Sequence, residues 1–387
     1  MKKIFLTTIA LLSMASATIF GMYGPDSDWI FFLTDGNRFR ARADQLGFTL
    51  GNDTIKGTFG FRNKGFGGQF GKMLNTTDGV NYNFNPTISM GLGYTSSLIS
   101  VGVGYNATIG STKLTKFNGK TEGKKTEAVA HTPVLVLNAM DNAFRMAIPI
   151  QVVNLADKKA NGDKGSVTAV SLDAQFRYYT GLDFLPQIRL YLRYGNYGYE
   201  KTTGGTKDKG TFAETFGFDF RLWFGSMVEE VAINPIIKIQ YNGALGKQHN
   251  QTRIQAANLV NDAATVANTG NQSSIVTNSW AKGAWDLKII PALGITANSD
   301  IVSLYVEPSL GFQINQKGSA TDNKVKELYS LYYGAYAEIY ITPLKNLEWY
   351  FEVDLNNGGD SSSSASYTKN GLHFEGTSGI TWYLPAL

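Results

Sequence analysis

Residues 215–224, TFGFDFRLWF, place an apolar side chain at every second position. Side chains alternate between the two faces of a β-strand, so this stretch would present one apolar face and one small or polar face. The same two-residue period recurs in residues 99–109, 166–179 and 301–314. The sequence therefore predicts a series of long strands whose two faces meet very different surroundings.

The length and the polar face of these strands indicate a membrane-spanning barrel. Each stretch is about ten residues or longer, which suits a tilted strand crossing the hydrocarbon layer. Its polar face carries Ser, Thr, Gly, Asn, Gln and Arg, a lining typical of a wet lumen rather than of a soluble sandwich. Aromatic residues lie at strand ends, where interfacial girdles would form, including Tyr94, Trp223, Trp280, Trp285, Trp349 and Trp382.

The composition excludes several classes of protein. The 387 residues are 43% hydrophobic, 13% aromatic and 17% charged, which is too apolar for a disordered chain. No cysteine is present, so a disulfide framework, a zinc–thiolate site and a lipid-anchored cysteine are excluded. The net charge of +4 is not gathered into a stripe beside stacking aromatics, and we therefore expect no nucleic-acid partner. We also expect no cofactor.

The first residues have the features of an export signal. In residues 1–17, MKKIFLTTIALLSMASA, two lysines precede an apolar run over residues 4–12, and Ala15 and Ala17 form an A-x-A cleavage site. We expect Sec-type export with cleavage near Ala17 and one domain, the barrel, over residues 18–387. No later stretch has the apolar length of a spanning helix.

Alternation of short and long connections predicts the strand count. Counting residues 28–33 as the first strand and residues 38–50 as the second, the pattern continues to a last strand over residues 370–384. The total is about 16 strands, an even number with both termini on the periplasmic side. A count of 14 is the alternative. The longest connection, residues 246–278, contains one helix-like stretch that would either enter the lumen or stay outside.

The alternation along each strand, which we call its parity, predicts which charged side chains lie on the inner face. The predicted pore-lining cations are Arg38, Arg40, Arg42, Lys56, Arg62, Arg177, Arg189, Arg193, Arg221 and Lys238, and Arg145 also faces inward with them. The predicted pore-lining acids are Glu307, Glu338, Glu348, Glu352 and Asp354. The cations lie on the first strands and the acids on the last. We hypothesise that this segregation sets up a field across a water-filled pore, partly neutralised where the first and last strands meet. The alternative is a set of wall-stiffening ion pairs in a lumen filled by loops.

Enzymatic chemistry finds little support. The three histidines lie in different segments, and no G-x-S-x-G motif occurs. His373 would face the lumen beside Glu375, which leaves a lumenal lipid hydrolase as a weak alternative. The G-x-G-x-x-A pattern of residues 102–107 lies inside an alternating strand with no helix after it, so we interpret Gly102 and Gly104 as small inward residues.

Two stretches carry a resemblance to a known family. Residues 22–70, MYGPDSDWIFFLTDGNRFRARADQLGFTLGNDTIKGTFGFRNKGFGGQF, and residues 101–106, VGVGYN, resemble the opening of the variable surface proteins of intestinal spirochaetes. The resemblance implies an abundant, host-exposed and antigenically variable outer-membrane protein assembled into larger complexes. It implies no catalytic or ligand-binding residue.

These observations lead to one interpretation. We expect an all-β, transmembrane, antiparallel up-and-down β-barrel in the cell outer membrane, surface-exposed, with passive porin-like diffusion. Its expected partners are outer-membrane lipids, further copies of itself or related surface proteins, and host molecules at the loops. An adhesion or structural platform without a channel is the main alternative.

Overall fold

The structure is a computed structural model, and it describes residues 23–24, 28–42, 45–63, 86–114, 124–158, 164–228, 231–245, 282–319, 326–357, 366–369 and 371–384. The predicted signal peptide, residues 1–17, and the predicted loop over residues 246–278 lie outside these residues. Both therefore stay predictions.

The described residues form one short 3-10 helix, Asp28–Phe31, and eighteen β-strands. The strands are β1 Arg38–Arg42, β2 Gln45–Gly51, β3 Ile55–Asn63, β4 Pro86–Tyr94, β5 Ile99–Leu114, β6 Lys124–Ala139, β7 Phe144–Lys158, β8 Lys164–Tyr179, β9 Gln187–Thr203, β10 Thr206–Trp223, β11 Ser226–Val228, β12 Val231–Ala244, β13 Trp285–Asn298, β14 Val302–Gln316, β15 Leu328–Leu344, β16 Leu347–Asn356, β17 Ser366–Lys369 and β18 Leu372–Leu384. In the part of the chain that is described, no helix is both long and apolar enough to cross a membrane.

These strands close into one antiparallel barrel. Most strands pair with the next along the chain, whereas β10 pairs with β12 and β16 pairs with β18. β1 closes the circle by pairing with β18, where Phe39 lies opposite Leu384. β11 continues β10 along β12 in the same register, and β17 forms a hairpin with the start of β18. Eighteen segments therefore occupy sixteen positions in the wall. The predicted sixteen-strand count is confirmed, and the alternative of fourteen is wrong.

The predictions for the first two strands are wrong. Residues 28–33 are not a strand but the 3-10 helix and the turn after it. Residues 38–50 are not one strand but two, β1 and β2, with Arg42 paired to Gln45. The physical reason lies in the phase of the alternation, because the outward apolar positions are odd-numbered in β1 and even-numbered in β2. A regular strand cannot change phase, so the chain turns back on itself.

Burial confirms the predicted alternation of faces. On the outer face, Val103 and Leu310 are 58% and 59% exposed. On the inner face, Asn106 and Thr215 are at most 2% exposed. Apolar side chains therefore point away from the barrel and polar side chains point into it, which reverses the usual arrangement of a soluble protein.

The two ends of the barrel differ. Short connections, among them residues 95–98, 140–143, 299–301 and 345–346, join strands at one end, which we call the short-turn end. The start of β1 and the end of β18 also lie at this end. At the opposite end, most of the connections lie outside the described residues. The described Gly204–Gly205 turn at this end is tight, with φ of +56° and +83°.

One short turn stores backbone strain. Met140, Asp141 and Asn142 have φ values of 56°, 53° and 64°. The left-handed region costs an ordinary residue roughly 1–2 kcal/mol, a cost that glycine does not bear. Met140 is 61% exposed and contributes little packing. We therefore expect Met140→Gly to raise the free energy of unfolding by about 1 kcal/mol in urea titrations of the micelle-bound protein.

Leu98→Gly is the matched control for this turn. Leu98 is 75% exposed in the neighbouring short turn, and its φ is not positive. Glycine there adds only freedom to the unfolded chain, so we expect a loss of about 0.5–1 kcal/mol. A loss of stability in both variants would contradict the strain argument.

Candidate functional site

The chain passes through the barrel interior before it forms the wall. Residues 23–24 and 28–37, which we call the N-terminal segment, bury four large apolar side chains, those of Trp29, Ile30, Phe32 and Leu33, at 3% exposure or less. Trp29 and Phe32 meet edge to face, with ring centroids 5.5 Å apart. The cluster packs on inward side chains of β6 and β7, among them Val134, Val136 and Ala147. This apolar cluster lies inside a predominantly polar lumen.

Inward glycines make room for these rings. A Cβ atom on Gly104 would lie 2.3 Å from Cη2 of Trp29, and a Cβ atom on Gly93 would lie 2.6 Å from Leu33. Gly102 stands beside Leu33 and Phe32. The interpretation of Gly102 and Gly104 as small inward residues is confirmed, and the rings of the N-terminal segment are the reason for their size.

Polar contacts attach the segment to the wall. The Trp29 Nε1 atom donates to Oδ1 of Asn106 at 2.8 Å, and Nδ2 of Asn106 donates to the backbone carbonyl of Tyr23 at 2.6 Å. The Lys56 ammonium donates to the carbonyl of Asp35 at 2.6 Å. Burial raises the pKa of the Tyr23 phenol well above its usual value, so the phenol stays protonated and donates to the Asp35 carboxylate at 2.7 Å. Buried donors and acceptors thus find partners across the contact.

Five of the inward cations form one row. The strand registers place Arg145 opposite Arg177, Arg177 opposite Arg189, Arg189 opposite Arg221, and Arg221 opposite Lys238. We call these five residues the basic belt. The four arginines lie within two residues of the short-turn ends of β7, β8, β9 and β10. The belt therefore follows the inner rim of that mouth.

Carboxylates of the described residues pair with Arg221 and Lys238 at one side of the belt. Asp219 accepts two hydrogen bonds from Arg221, at 2.8 and 2.6 Å, and Lys238 forms an ion pair with Glu307. At the other side the guanidinium groups stack on aromatic rings. The distances from guanidinium carbon to ring centroid are 4.8 Å for Arg145 over Tyr179, 4.4 Å for Arg177 over Phe31 and 3.9 Å for Arg189 over Trp223.

The acids collect on the last strands. Glu338 lies opposite Glu352, and Asp354 lies opposite Glu375. Together with Glu348 on β16, these residues form what we call the acidic patch. Phenol groups donate hydrogen bonds to its carboxylates. Tyr340 donates to Glu352 at 3.1 Å, Tyr383 donates to Glu348 at 3.2 Å, and Tyr336 donates to Glu338. Charge-assisted bonds of this kind stabilise carboxylates that have few cationic neighbours.

Barrel closure brings the first strand to this patch. The Arg42 Nη2 atom lies 3.7 Å from Oε1 of Glu348, and its guanidinium stacks on Tyr350 at 3.8 Å.

The remaining predicted pore-lining residues have different neighbours. Arg38 pairs with Asp35, Arg40 donates to Tyr383 at 3.3 Å, Arg62 lies opposite Gln45 and Thr87, Arg193 pairs with Asp173 at 3.5 Å, and Asp354 accepts from Asn356 at 3.1 Å.

A family described as Serpulina hyodysenteriae variable surface protein matches residues 2–383. The chain belongs to this family. The resemblance of residues 22–70 and 101–106 to variable surface proteins is thereby confirmed and extends over nearly the whole chain. A search of the curated proteins finds no match. Members of this family are surface proteins, and the family is not one of enzymes.

The variable surface protein fold places two inward features that parity assignment missed. Lys288 is 4% exposed on the inner face of β13, 5.5 Å from the ring of Tyr332. Its neighbours Leu287 and Ile289 are outward apolar residues, so the alternation could have identified it. The N-terminal segment had a signal too, because residues 29–33, WIFFL, are apolar without alternation. Such a run has no polar face to turn toward a lumen.

The hydrolase alternative concerns two residues of this variable surface protein. His373 is 3% exposed and lies opposite Asn356, and Glu375 lies two residues along the same strand, opposite Asp354. These positions put both residues near the start of β18, opposite the short-turn end. They do not test hydrolysis, and that alternative stays a prediction.

Proposed function

We propose that this variable surface protein spans the outer membrane as a surface-exposed barrel and lets small hydrophilic solutes diffuse through its lumen. The observation that carries the proposal is the closed sixteen-strand barrel with an apolar outer face and a polar inner face. Barrels of about this strand number leave room for an aqueous channel.

The outer face supports the membrane location. Large apolar side chains that point outward are half-exposed on strands all around the barrel, including Leu92, Leu135, Ile289, Leu310 and Ile380. In water a protein with such a continuous apolar band would aggregate, whereas in a bilayer lipid tails would cover the band without exposing apolar surface to water. Outer-membrane lipids are therefore the proposed partners of this face. The strand termini at the short-turn end support a periplasmic location for that end.

The inner face supports a charged lumen. The basic belt lies on β7 to β12 and the acidic patch lies on β15 to β18, so the two clusters occupy different sectors of one closed wall. Opposed charge sectors create a transverse field in a water-filled lumen, which orders ions and polar solutes as they pass. The N-terminal segment narrows the lumen beside β4 to β7.

The buried N-terminal segment also favours one alternative, a surface platform without a channel. Conductance across a planar bilayer separates the two functions. We expect discrete, ohmic current steps from refolded protein free of other barrels. Boiled protein is the control for contaminating detergent pores. Absence of steps, in protein shown to be folded by its resistance to protease, would contradict the channel and leave the platform.

Surface exposure is tested separately from conduction. Protease treatment of intact cells should cut only connections opposite the short-turn end. Cuts in residues 95–98 or 140–143 of intact cells would contradict the proposed orientation. Association with further copies or related surface proteins, and contact of the loops with host molecules, stay predictions.

A further inference from the structure

Arg145 and Arg177 of the basic belt differ from Arg221 and Lys238, which pair with Asp219 and Glu307. Within the described part of the chain, neither Arg145 nor Arg177 forms an ion pair with an acid. The Arg177 side chain is only 4% exposed, and its Nε and Nη1 atoms are buried without a hydrogen-bond partner. A buried cation with unused donors is costly unless an anion satisfies it.

The neighbours of Arg177 increase this cost. Arg145 and Arg189 lie directly opposite it on the two adjacent strands, so their Cβ atoms are about 5 Å away. Three like charges at this spacing repel one another, and the effect is strongest where water is scarce. Asp219 and Glu307 relieve the repulsion at Arg221 and Lys238. A mobile anion would serve the same purpose at Arg177.

The N-terminal segment contacts two of these arginines. The Phe31 ring covers one face of the Arg177 guanidinium at 4.4 Å, and Arg145 donates through Nη1 to Oγ1 of Thr34 at 3.1 Å. The Arg145 Nε atom donates to the carbonyl of Asn142 at 3.2 Å. These contacts hold the Arg145 and Arg177 guanidinium groups in place before a ligand arrives, which lowers the entropic cost of binding.

We propose that Arg145 and Arg177, with Arg189 beside them, bind a small oxyanion, a phosphate or a carboxylate, at the short-turn mouth of the lumen. Guanidinium groups match the oxygen atoms of such anions through directed N–H donors, which a spherical chloride ion uses less well. The inner-face position keeps lipid headgroups away, so the ligand is a soluble solute. This site goes beyond passive diffusion, since it requires binding but not conduction.

Binding is measured on the refolded full chain in non-ionic detergent. Inorganic phosphate, acetate and chloride are titrated in separate calorimetric experiments at constant ionic strength, and the unfolding midpoint is followed in parallel. We expect phosphate or acetate to bind and to raise the midpoint, because a ligand of the native state stabilises it. Chloride is expected to do neither at the same concentration.

Arg177→Gln is the decisive variant and Arg193→Gln its matched control. We expect Arg177→Gln to weaken oxyanion binding by about tenfold to a hundredfold, the range for lost bonds to a charged group. Arg193 lies on the same wall, four residues beyond Arg189, and is already paired with Asp173 at 3.5 Å. Its replacement should change the affinity by less than about twofold.

Three results would overturn the site. They are equal binding of chloride and oxyanions, equal losses in the two glutamine variants, and no oxyanion binding by the folded wild-type chain. Arg177→Lys retains the positive charge and provides the test if Arg177→Gln does not fold, with an expected loss of about tenfold because lysine lacks the guanidinium geometry. The measurements need no membrane, so a failure here is distinct from a failure of the proposed channel.

Discussion

Trp29→Ala is expected to release the N-terminal segment from the barrel wall. Trp29 is fully buried, packs against Gly104 and donates a hydrogen bond to Asn106 at 2.8 Å. Truncation of a buried tryptophan costs about 3–5 kcal/mol, which is of the order of what a short segment can gain by docking. In planar bilayers the released segment should raise the mean conductance and add flicker. Limited proteolysis should cleave it early.

The controls for this prediction use the same chemistry elsewhere. Phe184→Ala removes an aromatic ring that is 63% exposed in a short connection, so it should change stability by less than about 0.5 kcal/mol. Gly104→Ala should reproduce the release, since its Cβ atom would occupy the place of the Trp29 ring. The double variant should lose less unfolding free energy than the sum of the losses in the two single variants. Additive losses, or unchanged proteolysis in Trp29→Ala, would contradict the docking role.

Leu310→Arg is expected to destabilise the protein in phospholipid vesicles by about 2–4 kcal/mol, the cost of a cation on the lipid face near the bilayer midplane. Leu310 is 59% exposed near the middle of β14 and has no acidic neighbour on the outer face directly opposite, where Tyr333 lies. Urea unfolding of vesicle-bound protein measures the change. A fall in the folded fraction during refolding should accompany it.

Ser309→Arg is the control at the same depth. Ser309 points to the inner face, where its hydroxyl donates to the carbonyl of Gly334 at 3.2 Å, and an arginine there would meet water and carboxylates. We expect it to cost less than about 1 kcal/mol. Equal costs for the two substitutions would mean that the faces of β14 do not separate lipid from lumen, and the barrel would lose its membrane role.

Local sequence was sufficient for the barrel itself. The alternation in residues 215–224 and in residues 301–314 predicted which side chains leave the wall and which enter the lumen, because a strand presents successive side chains to opposite faces whatever its neighbours are. The strand count followed from the alternation of connections. The prediction fails at residues 38–50 because the alternation changes phase between Phe39 and Phe48, which marks two strands. It fails at residues 28–33 because that apolar run does not alternate.

Tertiary structure decided how the inner face is arranged. Parity places Arg145, Arg177 and Arg189 in the lumen, but only the registers of β7, β8 and β9 make them direct neighbours. Likewise, only closure of β1 on β18 brings Arg42 to Glu348, 306 positions away in the chain. Period and composition are properties of one strand, whereas register, closure and the docking of the N-terminal segment depend on surfaces that meet only after the chain has folded.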